Sequence, residues 1–347
     1  MSISNQHDNR PFISDLLVKH SVAIEAVRSR IQADTNIGKE LYNKGDNAKR
    51  YDDIWILRFV LSHKGNVKPA AKAAIRTMKF REDKKLNEVG DLRPRIQNHG
   101  DAIDRDRLRL RLSKLSSNRS KSRSMELKPL PGFALYDSFC GEHCTFQILP
   151  DTNRGLVVIC DAGQIDMEGV IQNMTEEAMT EKYIYLKEAF FQVADEVTRR
   201  TGQLTKQMNL IDLGNVTWKE LNRNRAYVRR DAKCAKALED YYPQLLGTSF
   251  IANSPAWLSG VWSVFRSLFP KRVVEKVDFL PPLEKIIRAR SKSSSRSSSS
   301  SSNDADHLNL LKPILRYISE EHLPVRYGGR NEQWPLPSIG SIYDGLD

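Results

Sequence analysis

Two hydrophobic periodicities divide this chain. In the first third, apolar residues recur at helical spacing. Leu16, Leu17, Val22, Ile24 and Val27 predict an amphipathic helix, followed by a loop around Gly38 and Gly45. Tyr51 to Ser62 predicts a second helix, opened by Asp52, with Ile54, Leu57, Val60 and Leu61 in its stripe. A Gly65-Asn66 turn leads to a third, from about Val67 to Lys84. It puts Ala70, Ala74, Ile75, Met78 and Phe80 inward and Pro69 in its first turn. The last two helices form a hairpin. Beyond Pro129, short β-type runs take over, at 144–148, 156–160, 208–213, 249–252 and 277–280. Between them lie two long helical patterns. One runs from Thr175 to Gly202 through Met179, Tyr183, Leu186, Phe190, Val193 and Val197; the other runs from Trp218 to Tyr242 through Leu221, Val228, Ala232, Ala235 and Leu238. Strand, helix and strand over Met208 to Ala252 make a βαβ unit with parallel pairing and a right-handed crossover. The fold class is α/β.

Pro255 to Phe269 differs from an ordinary surface helix. Trp257, Leu258, Val261, Trp262, Phe265, Leu268 and Phe269 form one broad apolar stripe. Two readings fit this pattern. It is a core helix packed on the sheet, or its apolar face meets lipid as a lid or interfacial anchor. Gly260, and Asn253-Ser254-Pro255 before the helix, are points where it can flex.

Composition narrows the class. The 347 residues, 40% hydrophobic and 28% charged, suit one large soluble domain or two smaller ones. No apolar run approaches the ~20 residues of a membrane span. The polar start, Met1 to Asn9, has no signal core. Four cysteines are too few for a disulfide framework, so a reducing interior is expected. The net charge of +11 hints at nucleic acid until it is located. Arg105 to Ser124 holds eight basic residues and one acid, and Arg288 to Ser302 holds four basic residues and no acid. The remainder balances. A folded nucleic-acid domain carries its charge on its own helices or strands, so that class is disfavoured. Ten of the twelve residues from Ser291 to Ser302 are serine, a composition that cannot join a core.

No GxxxxGK[ST], GxGxxG, HExxH or GxSxG pattern occurs. Cys140-Gly-Glu-His-Cys144 offers zinc-type ligands, yet no second close pair completes a four-ligand site. Asp161, Asp166 and Glu168 lack a nucleophile or cofactor motif beside them and read as loop acids. No catalytic residue, metal or cofactor is expected, and the chain does not read as an enzyme.

Four stretches together resemble the CRAL-TRIO lipid-binding family, in particular its phosphatidylinositol/phosphatidylcholine transfer proteins. Ile56-Leu-Arg-Phe-Val-Leu-Ser-His-Lys-Gly-Asn-Val67, with the Ala-rich helix after it, is similar to the family's N-terminal helical module. Tyr241-Tyr-Pro-Gln-Leu-Leu-Gly-Thr-Ser-Phe-Ile-Ala-Asn-Ser-Pro255 resembles its Tyr-Pro entry, core strand and Asn-x-Pro exit. The apolar helix with Phe269-Pro-Lys-Arg-Val-Val-Glu-Lys-Val277, and Leu323-Pro-Val-Arg-Tyr-Gly-Gly329, match the segments that follow.

The resemblance implies a division into an extension (1–50), the helical module (51–87), a basic Ser/Arg linker (88–128), the lipid-binding domain (129–330, with a disordered insert at 288–306) and a tail (331–347). It implies a mixed sheet flooring an apolar pocket, with Ala256 to Phe269 as its gate and a phospholipid as the bound ligand. By the same resemblance Lys64 and Lys276 stand where the family binds a phosphatidylinositol headgroup. Gln244 replaces the family's acid after Tyr-Pro, Val273 replaces a threonine, and Gln207 and Asn209 replace a Ser/Thr pair that handles phosphatidylcholine. The plain alternative for both lysines is solvated surface charge.

The expected function is non-catalytic transfer of phosphatidylinositol, and secondarily phosphatidylcholine, by a cytoplasmic monomer that docks on anionic endomembranes and binds no nucleic acid. Phosphorylation at Ser120, Ser122 and Ser124 would cancel the docking charge. The alternatives are a lipid-regulated signalling adaptor, or RNA association through the Arg/Ser segments.

Overall fold

The computed structural model describes residues 10–88, 156–267, 271–282, 284–286 and 308–332, with positions 132, 135, 136, 139, 147, 148 and 288. The basic linker from residue 89, the serine-rich insert beyond 288, the Cys140–Cys144 motif and the tail beyond 332 lie outside the described residues.

The first helix, α1 (Ile13–Ala33), buries Ile13, Ile24, Val27 and Ile31 against α4 (Asp53–Ser62) and α5 (Val67–Asp83). Val22, expected in that stripe, is 84% exposed, because its position points away from the 24/27/31 row. Gly38 is not in a loop: it opens α2 (Gly38–Asn43). Asp34 explains this, since its Oδ1 accepts the backbone N–H of Asn36, Ile37 and Gly38, ending one helix and starting the next. Gly45, with φ 54°, makes the turn before α3 (Asn47–Arg50). Asp52 caps α4 by accepting from Trp55 N at 3.0 Å, and Trp55 packs tilted between Tyr51 and Phe59, each centroid 4.5 Å away.

The sheet has the order β1-β2-β3-β4-β5. The short β1 (Gln147–Ile148) is antiparallel to β2 (Leu156–Asp161). β3 (Gln207–Asp212), β4 (Leu246–Ala252) and β5 (Val277–Phe279) continue parallel to β2, so the sheet is mixed. Helices α6 (Met167–Asn173) and α7 (Glu176–Thr201) join β2 to β3. The caps of α7 are those the sequence predicts: Thr175 accepts from Ala178 N, and Gly202 adopts φ 68°.

The helix expected from Trp218 to Tyr242 is broken. Thr217 and Glu220 form a capping box that starts α8 (Trp218–Arg223), and α9 (Arg225–Ala237) follows. Asn224, with ψ 23°, leaves the helical region between them, as a side chain that competes for backbone hydrogen bonds tends to. The last turn, Glu239–Tyr241, tightens to a 3-10 helix. After β4 come α10 (Ala256–Arg266) and α11 (Lys271–Val274).

The two faces of the sheet meet different partners. Val157, Ile159, Met208, Leu210 and Phe250 pack against the closing segment through Leu311, Ile314, Ile318, Leu323 and Tyr327. Leu156 and Val158, on the other face, pack against Leu186, Phe190 and Val193 of α7 in the core shared with α1, α4 and α5.

Candidate functional site

β3, β4 and β5 lie side by side, so the residues that lead into them gather at one edge. Lys206 immediately precedes β3, Gln244 stands two residues before β4, and Lys276 immediately precedes β5. Gln244 has φ 58°, and its amide donates to Ser62 Oγ at 3.2 Å, tying the Tyr-Pro segment to the end of α4. Lys64, two residues on from Ser62, is exposed with φ 53°. Lys276 is half-buried; its Nζ donates to Leu246 O at 2.6 Å and its C=O accepts from Thr248 Oγ1. Burial lowers its pKa, opposed by Glu239 and reinforced by Arg272 and Lys187. The side chain of Val273 is half-buried and apolar, and its carbonyl accepts the Lys276 N–H at 3.0 Å.

Two cations at this edge escape sequence reasoning. Lys206 is half-buried, and its ammonium is lowered to about 8, first by burial and then by Lys276 and Arg58. Among the described residues it has no acidic partner. Arg58 on α4 is fully buried; its Nη2 donates to Thr198 Oγ1 at 3.1 Å and lies 3.6 Å from Asp195. Among the described residues its Nε and Nη1 have no hydrogen-bond partner, and its guanidinium lies 5.2 Å from the Phe191 ring centroid. Thr198 Oγ1 also accepts from Thr205 N at 2.9 Å, which links Arg58 to the strand entry at Lys206. A lysine before a strand carries no signal by itself; only the adjacency of β3, β4 and β5 gives it meaning.

On the α7 face of the sheet, Gln207 donates to Asn209, whose amide donates to Ser249 Oγ at 3.3 Å. Ser249 was not foreseen; register places it directly beside Asn209. Asn209 and Ile211 are half-exposed, whereas Met208 and Leu210 between them are 0% exposed on the opposite face. This face is therefore closed less tightly than the other.

The α10 helix borders the same face. Trp262 meets Phe279 of β5 edge-on at 5.1 Å, and Trp257 meets Trp218 of α8 at 5.6 Å. Leu258 is buried at 4%, Trp257, Val261 and Trp262 are half-covered, and Gly260 is exposed with open space around it. The Phe265 side chain, Leu268 and Phe269 lie outside the described residues. A helix packed into a core would cover both tryptophans; this one leaves them partly open.

A cavity of about 190 Å³ lies at the opposite, carboxyl end of the strands, lined by Asp166, Glu168, Asn215, Glu220, Arg223 and Asn224 among others. Asp166 caps α6 and Glu220 belongs to the α8 capping box, so the polar lining serves helix ends. Among the described residues there is no cluster able to hold a metal ion, and no helix is long and apolar enough to cross a membrane.

The sequence profile of the CRAL/TRIO domain matches residues 142–292. Sec14 cytosolic factor of Kluyveromyces lactis is 22% identical over 184 residues, 52% of each chain. A CRAL-TRIO domain-containing protein of Saccharomyces cerevisiae is 20% identical over 283 residues, 81% of this chain and 72% of its own. Sec14 cytosolic factor of Schizosaccharomyces pombe is 23% identical over 126 residues, 36% of this chain and 43% of its own. The chain thus spans about half the length of the Sec14 factors it matches. The crystal structure of Sfh5 aligns over 80% of this chain and 82% of its own at 10% identity, with a TM-score of 0.36, too loose to place a side chain. The profile match spans β1 to β5, so the mixed sheet is that of a CRAL/TRIO domain, and the chain around it is similar to Sec14-like proteins.

Proposed function

We propose that this protein binds a phospholipid on the α7 face of the sheet and carries it between membranes without chemical change, with α10 as the gate. The observation that carries this reading is the unequal closure of the two faces, Asn209 and Ile211 half-exposed beside a helix with half-covered tryptophans. Two acyl chains moving through water must be hidden, at ~0.8 kcal/mol per methylene, so the carrier needs an apolar floor and a movable cover. Opening exposes Trp257, Val261 and Trp262, an aromatic surface suited to a membrane interface.

The headgroup is inositol phosphate, held at the amino edge by Lys276 and the Gln244 amide with Lys64 at the rim; an ammonium and a neutral amide suit a phosphodiester and ring hydroxyls. The Gln207–Asn209–Ser249 row handles choline lipid as a secondary ligand. The carrier works as a cytoplasmic monomer, docked on anionic membranes by the strip at 105–124. Extraction of the purified protein and mass spectrometry are expected to recover exchangeable phospholipid; recovery of none sinks the reading. Trp262→Asp is expected to abolish transfer between liposomes while leaving the circular dichroism unchanged, and undiminished transfer refutes the gate.

A further inference from the structure

Lys206 is the charged group at the amino edge that its surroundings explain least. It is half-buried, among the described residues it has no acidic partner, and two other cations act on it. Lys276, by contrast, shares the field of Glu239 with Lys187 and Arg272. A charged ammonium partly withdrawn from water without a counter-charge costs stability.

The geometry converges on one peptide. Lys276 Nζ donates to Leu246 O at 2.6 Å. The stem of Lys206 lies beside the next residue: a methyl added at Gly247 would come 3.2 Å from both Lys206 Cβ and the Gln207 carbonyl oxygen, and 3.8 Å from Lys206 Cδ. Glycine at 247 thus admits both the β3 backbone and the Lys206 stem, and both lysines flank the Leu246–Gly247 peptide. Register sets the Lys276 backbone level with Thr248 and the Lys206 backbone level with Leu245, on either side of β4, and the Lys276 side chain runs back along β4 to reach Leu246 O. Two lysine side chains entering from either side of β4 close on a group between them. Arg58, buried behind the strand entry with two nitrogens that lack a hydrogen-bond partner among the described residues, adds positive field.

We propose that Lys206 and Lys276 together seat a phosphate group over the Leu246–Gly247 peptide, with Lys206 as the residue that selects phosphate-bearing ligands over neutral ones. The chemistry is that of a phosphate oxyanion between two ammonium groups, whether the phosphate belongs to a lipid headgroup or is free. Only the lipid as carrier of that phosphate rests on the function proposed above.

The test follows the Lys206 side-chain titration by NMR in the full chain, assigned by its loss in Lys206→Met. Three probes are added: phosphatidylinositol vesicles, detergent-dispersed diacylglycerol and inorganic phosphate alone. Phosphatidylinositol is expected to raise the Lys206 midpoint by about one pH unit or more, and diacylglycerol to leave it in place. A rise with inorganic phosphate alone supports the seat and assigns it to free phosphate; no rise with any probe overturns it.

In parallel, Lys206→Met is expected to cut phosphatidylinositol loading about tenfold, Lys206→Arg to retain most of it, and diacylglycerol loading to be unchanged in both. Equal loss for both lipids marks a collapsed pocket and overturns the assignment. Wild-type protein that loads no lipid refutes the transfer function, while the inorganic phosphate arm still decides the seat.

Discussion

Arg81 and Glu188 form the ion pair that fastens the N-terminal helices to α7. Arg81 Nη1 and Nη2 donate to the two Glu188 oxygens at 2.7 and 2.9 Å, and its Nε donates to Asn87 Oδ1. Both side chains are buried, and although burial opposes the charge on Arg81, the carboxylate more than restores it and raises its pKa. Such a pair adds little over apolar residues of equal volume, but losing one partner strands the other without water. Glu188→Ala is therefore expected to lower unfolding stability by about 3–5 kcal/mol in urea titrations, and Arg81→Met with Glu188→Leu to recover most of it. A single substitution costing under 1 kcal/mol would show the pair to be solvated. Lys206 makes the opposite prediction. Its folded pKa, about 8, lies below the ordinary 10.5, so between these values the unfolded chain binds more protons than the folded one. Stability gains a rising contribution from pH 8 to 10.5, worth about 2 kcal/mol after allowing for partial exposure. The raised pKa values of Tyr183 and Tyr242 act in the other direction above pH 10. The difference between wild type and Lys206→Met isolates the lysine; a flat difference across that window would contradict its burial.

Among the elements, the closing segment joins its apolar packing on the sheet to one ionic tie. Arg326 reaches Asp161 at the end of β2 and Asp212 at the end of β3, at 3.1 and 2.9 Å, and both carboxylates are nearly sealed from solvent. Asp161 also accepts from Gly163 N; Asp212 accepts from Gly214 N and the Asn253 amide, so the aspartates fix the loops beyond their strands. Arg326→Ala leaves two buried carboxylates with no cation between them. It is expected to cost about 3–5 kcal/mol and to speed hydrogen exchange at 156–161 and 207–212 before the rest of the sheet. Uniform protection would show the segment to be held by Leu311, Ile314 and Leu323 instead. Asp161 reads as a loop acid in the sequence, and Asp212 as part of a strand, because the partner of both lies more than a hundred positions away. Helix α7 was legible in full, since its stripe, Thr175 and Gly202 are all local signals. The break at Asn224 was not, because a continuous apolar period spans it.

For the whole molecule, the same distinction between local and distant signals decides how much of the site could be read. The aromatic stripe of α10 and the Tyr-Pro entry are contiguous, so the sequence exposes them. The meeting of Lys206 with Lys276, and of Asn209 with Ser249, depends on which strands are neighbours. The N-terminal extension is a similar case, its weak periodicity leaving its docking open. In the structure Ile13 N donates to Gly202 O at 2.8 Å, Leu204 N donates to Pro11 O, and Phe12 bridges to Gln203. Arg10 donates to Thr205 Oγ1 at 2.9 Å, one residue before Lys206. The segment thus braces the β3 entry while α1 covers α4 and α5. Ile13, Ile24, Val27 and Ile31 are all buried in this contact, and each such side chain is worth about 1.5–3 kcal/mol. Their sum is comparable to the 5–15 kcal/mol total stability of a typical domain. Deleting residues 1–34 is therefore expected to abolish cooperative unfolding and to open the chain to proteolysis near α4, whereas deleting 1–9 leaves the thermal midpoint within about 2 °C. A 35–347 protein that unfolded cooperatively at the wild-type midpoint would show α1 to be a dispensable appendage, and the brace at Lys206 would have to come from Arg58 and Thr198 alone.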